Sequence, residues 1–164
     1  MSHLKIASLL LVFTGQVIPV AAAEPSRLAF DTYSGYFVSN KFEPAAPTSF
    51  LAIMDQKQFD NVFGVAMVMG DKSHRLPKDL FKSQLVLAAI RRGNATWTFK
   101  VESVKLKEGG ILELHYTADS EKSDSATFAC PLIVSIPHGP YKSFVFVENH
   151  KAVKTLPNTS PANR

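Results

Sequence analysis

The chain has 164 residues, 46% of them hydrophobic and 20% charged, with a formal net charge of +4 and a single cysteine. A chain of this length carries one domain that buries roughly two thirds of its unfolded surface, and so needs neither metal nor disulfide for stability. The lone cysteine excludes an internal disulfide, and Lys and Arg residues that form no run with interleaved aromatics exclude the concentrated basic face that nucleic acids require.

In chain order, residues 1–23 read as an export signal. Lys5 supplies a positive start, Ile6 to Phe13 is a short apolar run, and Ala21-Ala22-Ala23 fits the small-x-small cleavage rule. The apolar run falls short of the roughly 20 residues that span a bilayer, and no cysteine follows it to take a lipid. Cleavage near Ala23 leaves 17 Lys and Arg against 14 Asp and Glu, with no transmembrane segment expected in the mature chain, which would be periplasmic or secreted.

Residues 24–29 read as a loose leader. Phe30 to Ser39 is aromatic and β-prone, with Gly35 marking a bulge or a close backbone approach. Asn40 to Ser49 carries Pro44 and Pro47 and is a loop; Phe50 to Met54 is a short strand. Asp55 caps a helix at about 56–63, because its side chain can accept backbone N–H bonds from the first turn. Phe59, Val62 and Phe63 form its apolar face, and Gly64 is placed to end it. Val65 to Met69 is read as a strand, Gly70 to Arg75 as a charged turn, and Leu76 to Phe81 as a short helical turn.

Gln84 to Ala118 is the centre of the fold, three strands in succession. From Leu85 to Ile90 both alternating sets of side chains are apolar, so this strand is central and covered on both sides. In the next strand Trp97, Phe99 and Val101 share one parity and Val104 and Leu106 the other. Only an extra residue near Glu102-Ser103 keeps both sets facing the core, which predicts a β-bulge there. Lys107-Glu-Gly-Gly110 is a hairpin turn. Leu112, Leu114, Tyr116 and Ala118 then face inward, while Ile111, Glu113, His115 and Thr117 face water.

Asp119 to Ser125 is a polar loop. Ala126 to Pro137 is a strand made an edge, or kinked, by Pro131, and it holds Cys130 as a buried, inert thiol. His138 to Tyr141 is a tight loop and Ser143 to Glu148 the last strand. The domain spans 30–154 and 155–164 is a disordered tail. The fold class is α+β, mainly β: a single antiparallel sheet or a compact β-sandwich with one short covering helix.

Few chemistries have support. The histidines of the mature chain (74, 115, 138 and 150) are far apart, with no His-x-His, no His-Glu-x-x-His and no Cys pair. There is no Gly-x-Ser-x-Gly turn, and Gly109-Gly110 joins strands and so cradles no phosphate. No cofactor, metal or catalytic residue is assigned. Asn94-Ala-Thr96 and Asn158-Thr-Ser160 match the N-glycosylation pattern.

Asp55-Gln-Lys-Gln-Phe59, Leu80-Phe-Lys-Ser-Gln-Leu-Val-Leu-Ala88, Val101-Glu-Ser-Val104, Gly110-Ile-Leu-Glu-Leu114 and Cys130-Pro-Leu-Ile-Val-Ser-Ile-Pro137 occur in an order that resembles the exported C-terminal domain of bacterial protease-complex-stabilising proteins. The resemblance runs from about Phe50 to Val147. Where that family carries a glycine-rich segment with an aromatic, this chain has Arg92-Gly-Asn-Ala-Thr-Trp97, with one glycine. The resemblance implies a non-catalytic binding role, with a protease as one partner class.

The functional expectation is a small exported binding or accessory module that engages another envelope or secreted protein, with an exported hydrolase of unfamiliar active site as the alternative. Contacts are expected from loops at one end of the sheet: Arg91, Arg92 and Trp97 together with His138, Tyr141 and Lys142. Exposed aromatics and arginines dominate interface energetics, and loops on a rigid sheet carry function. For the alternative, the mark would be a deep pocket holding His115 or His138 beside a serine or carboxylate.

Overall fold

The computed structural model describes residues 25–66 and 74–159. The leader pattern at 1–23 and most of the expected strand and turn between 65 and 75 lie outside them. In chain order the elements are β1 (Ser26–Leu28), β2 (Asp31–Tyr33), β3 (Tyr36–Val38), β4 (Thr48–Ile53), α1 (Gln56–Val62), β5 (Phe63–Val65), β6 (Gln84–Gly93), β7 (Ala95–Lys107), β8 (Ile111–Lys122), β9 (Phe128–Pro137), β10 (Ser143–Glu148) and β11 (Lys151–Pro157), with 3-10 turns at Leu80–Lys82 and Glu108–Gly110.

The described strands form three sheets: β1-β7-β8-β10-β11, β2-β9-β6-β4, and the pair β3-β5. The first two face each other as a β-sandwich. Leu85, Leu87 and Ala89 of β6 and Val134 and Ile136 of β9 meet Leu112, Leu114 and Tyr116 of β8 and Phe144 and Phe146 of β10 in one core. The opposite face of the second sheet makes another core. There Val86, Ala88, Ile90 and Ile133 pack beneath Phe59 and Val62 of α1 and Val38 of β3. The second sheet is therefore the middle of three layers, and β6 is central with both faces covered, as its two-sided apolar pattern requires. Every paired neighbour is antiparallel except β8 and β10, which run parallel. A parallel pair needs a crossover, and β9 supplies it by carrying the chain through the second sheet and back.

Local patterns explain several elements. Asp55 caps α1 by accepting from the Gln58 N–H at 2.8 Å. Gln58 Oε1 in turn accepts from the Met54 N–H at 3.0 Å, a reciprocal arrangement close to a capping box. The register of β7 on β8 slips between Val101 and Ser103. Glu102 is the extra residue, and Val104 thereby reaches the core with no exposure. Gly109 and Gly110 turn the chain at φ 79° and 76°, values open to glycine at little cost. Pro131 pairs with Ile90 of β6, while β2 covers only Ile133–Ser135, so β9 is an edge where its proline lies.

Other expectations are corrected. The leader is not loose throughout: Ser26–Leu28 pairs with Leu106–Val104 of β7, and Leu28 packs against the inter-sheet core. The tail does not begin at 155, because β11 continues to Pro157 along β10 and buries part of Leu156. The β10–β11 hairpin is made by Asn149 and His150, both at positive φ (48° and 65°), the geometry of a type I′ turn. Phe30 to Ser39 is two strands in two sheets, divided at Gly35, whose φ is 78°. Gly64 does not end the helix. Phe63 does, passing into extended backbone while its N–H donates to Phe59 O. Gly64 instead lies under the Phe37 ring, which a Cβ there would approach to 2.2 Å.

Candidate functional site

Successive side chains of β6 face opposite sides, so its two terminal arginines serve different layers. Arg91 points between the sheets. It donates to Thr48 Oγ1 at 2.8 Å, pairs with Glu148 at the end of β10, and lies over the Trp97 ring at 5.2 Å from its centroid. Glu148 also accepts from the Tyr116 hydroxyl at 3.0 Å. The group is well sheltered: the Arg91 side chain is 21% exposed, that of Glu148 11%. Arg91 Nε is buried with no hydrogen-bond partner. Burial first, and the Glu148 charge second, hold the Tyr116 hydroxyl far above the ordinary phenol range.

Arg92 points to the other face. It donates to Ala46 O at 3.1 Å, Ser49 Oγ at 2.7 Å and Phe42 O at 3.1 Å, pinning the proline-bearing loop onto the second sheet. Burial lowers its pKa, and the nearby Glu43 charge works in the opposite sense. Both guanidinium groups expected to meet a partner thus bind groups of this chain.

The second set of expected contacts lies at the other end. Gln84 pairs with Pro137 and Arg91 with Cys130. Seven steps of about 3.3 Å therefore put roughly 23 Å between the Arg91 region and His138. The six residues do not form one patch. Tyr141 is corrected outright: it is 2% exposed and part of the inter-sheet core. Its hydroxyl donates to Pro137 O at 2.9 Å, and burial raises its pKa. The ring folds inward over Gly139, where a Cβ would come within 2.6 Å of it. His138 and Lys142 are exposed. The His138 Nε2 sits 3.2 Å from Phe81 O, and the Lys142 backbone is tied to Gly110 O at 2.8 Å.

Trp97 belongs to a feature that residue-by-residue reading missed. It lines an open cleft of about 560 Å³ together with Phe30, Tyr33, Phe99 and Leu132, with Lys100 at its rim. The cleft exists because β1 and β2 are both three residues long. β1 leaves β7 at Val104, next to the bulge, and Ala29-Phe30 carries the chain across to the second sheet. On its far side Tyr33 is fixed by a 3.1 Å contact between its hydroxyl and Ser135 Oγ. Burial raises the Tyr33 pKa; the Ser135 bond opposes this, and the Asp31 charge adds to it. The shared parity of Trp97, Phe99 and Val101 was a signal in the sequence. That Phe30 and Tyr33 face it across the sandwich was not. Two other clefts are of similar size, about 570 Å³ each: one beside Phe42, Pro47 and Arg92, the other between Phe50 and Leu156.

His115 sits on the outer face of the first sheet and lines none of these clefts. Its Nε2 is 2.8 Å from Glu113 Oε2, and Lys107 Nζ is 2.6 Å from the other carboxylate oxygen. Ser103 is its cross-strand register partner. Among the described residues no group of three or more His, Cys, Asp or Glu side chains is placed to hold a metal ion, and no helix is long and apolar enough to cross a membrane. Comparisons of the chain with protein-family models, curated proteins and solved structures find no match.

Proposed function

We propose that this protein is a small exported binding module without catalysis of its own, and that it engages another envelope or secreted protein through the cleft at Trp97. The observation that carries this reading is the meeting of an aromatic cleft with a stretch of β7 edge that no strand among the described residues pairs. Aromatic side chains give large contact area and exclude water from neighbouring polar contacts. The leader pattern at 1–23 supports export, and the resemblance to the protease-stabilising domain makes an envelope protease one partner class to test. A photocrosslinking residue at Thr98, compared in the native envelope with one at Lys154 on the opposite edge, tests the site. We expect a discrete adduct from Thr98 and none from Lys154; equal labelling at both would remove the cleft from the proposal.

A second reading keeps an exported hydrolase, because Ser103, His115 and Glu113 occupy adjacent strands on one face. Its test is ester hydrolysis by the purified protein with and without Ser103→Ala. Equal rates from the two would end it.

A further inference from the structure

We infer that the edge of β7 at Phe99–Val101 takes up an extended strand of a partner protein that carries an acidic side chain opposite Lys100; this rests on the binding-module reading above. In an antiparallel pair, the backbone groups of alternate residues turn toward the neighbour or away from it. Four hydrogen bonds fix which do so here. The Trp97 N–H turns away from β8 and donates to Cys130 Sγ at 3.4 Å. Ala118, the partner of Phe99, spends its N–H and C=O on the Asn149 side chain at 3.0 and 3.1 Å, on the β10 side. Tyr116, the partner of Val101, gives its carbonyl to the Asn149 N–H at 2.9 Å. Phe99 and Val101 therefore direct N–H and C=O away from β8, where β1 no longer runs. A row of such groups at every second residue is matched by an extended main chain.

Two other edge stretches carry devices that discourage strand addition. β11 has Lys151, Lys154 and Pro157, and β9 has Pro131. Between Trp97 and Val101 there is no proline, and the only charge is Lys100. Lys100 is exposed, and among the described residues it forms no ion pair and no carboxylate lines the cleft. Asp119 stands opposite Thr98 and Glu121 opposite Thr96, so a carboxylate on the incoming strand fits beside Lys100 and is disfavoured further along. Apolar side chains at alternate positions of that strand would enter the cleft over Phe99 and Tyr33.

The test uses a short fluorescein-labelled peptide of alternating valine and threonine with a central glutamate, titrated by anisotropy and by amide NMR against the chain without its leader. We expect the Phe99 and Val101 amides to shift. N-methylation of the peptide's alternate nitrogens should weaken binding by about tenfold for each bond lost. Lys100→Glu, at an exposed position that leaves the core untouched, should reverse the preference toward a peptide with lysine in place of glutamate. Unmoved Phe99 and Val101 amides at saturating peptide, or indifference to N-methylation, would overturn the inference. Concentration-dependent shifts of the same amides without peptide would assign the edge to a second copy of this chain and overturn it equally. If the peptide fails while the Thr98 crosslink persists, the binding-module reading stands without a strand as its occupant; failure of both removes both.

Discussion

The two ends of the sandwich are closed by different chemistry. At one end the space between the sheets is sealed by charge, with Arg91, Glu148 and the Tyr116 hydroxyl in contact and Trp97 stacked on the guanidinium. At the other it is sealed by a neutral ring, Tyr141 against Phe144 with centroids 5.9 Å apart, held by Pro137 O and overlaid by the turn at Gly139. Both ends show, in sequence, basic and aromatic residues beside turns, arginine at the first and His138 and Lys142 at the second, and aromatics and arginine are enriched at protein interfaces. In the folded chain Arg91, Trp97 and Tyr141 seal the sandwich itself, and Arg92 pins a loop to the other face. Residue type beside a turn does not separate a contact from a plug. The stretch of β7 edge that no described strand pairs does, because a row of main-chain groups turned outward at alternate residues is what an added strand needs.

The largest effect that would test this contrast is at the neutral end. Tyr141→Ala should destabilise by about 4 kcal/mol, since a filled core position becomes a cavity, whereas Tyr141→Phe should lose only about 1 kcal/mol, the net worth of one hydrogen bond. Urea unfolding with an unchanged slope measures both. At the charged end, Glu148→Ala should cost about 3 kcal/mol by leaving Arg91 sheltered and unpaired. The combined variant Arg91→Met, Glu148→Leu, Tyr116→Phe should return to within about 1 kcal/mol of the parent, because it removes every charge and leaves only the half-buried Thr48 hydroxyl without its donor. If the triple variant is as unstable as Glu148→Ala, the clasp stabilises through its geometry and not through mutual satisfaction of charge.

How much of this was open to sequence reading follows the range of the interactions. The two-sided burial of β6, the bulge at Glu102, the glycine turn and the Asp55 cap are set by neighbours a few residues apart, and the pattern exposes them. β1 and β11 are not legible in that way. Ser26–Leu28 is a strand only because β7 offers a free edge at Val104–Leu106, and Lys151–Pro157 only because Asn149 and His150 accept positive φ. The parallel β8–β10 pair depends on a crossover through another sheet. Of the expected contacts, the opposite placement of Arg91 and His138 follows from the β6–β9 register, which no single strand reveals. The cleft depends on where the chain leaves β7 after Leu28, a choice made by the second sheet.

A smaller effect distinguishes the two ends at high pH. Burial raises the pKa of both Tyr116 and Tyr141, with the Glu148 charge adding to the rise at Tyr116 alone. A hydroxyl whose folded pKa lies above its unfolded value of about 10 contributes stability that is complete below that value and declines as pH rises beyond it. Phenolate absorbance should therefore show these two tyrosines ionising only as the chain unfolds in alkali. Tyr116→Phe should shift that unfolding to higher pH by more than Tyr141→Phe does.

The smallest effect lies on the outer face between the ends, at Glu113. Burial alone would raise its pKa, but the bonds and charges of Lys107 and His115 outweigh it and hold the carboxyl below its ordinary value. The sign is thus opposite to that of the tyrosines. The contribution is present above about 4.3, the ordinary glutamate value, and is lost as pH falls through the lower folded value. Lys107 is 49% exposed, so solvent screening keeps the contribution under about 1 kcal/mol. Urea unfolding repeated between neutral pH and strong acid should show Glu113→Gln slightly less stable than the parent near neutrality and equal to it in acid. A variant that loses the same stability at every pH would mean that Glu113 matters for packing rather than charge, and the outer face would then resemble the neutral end of the sandwich more than the charged one.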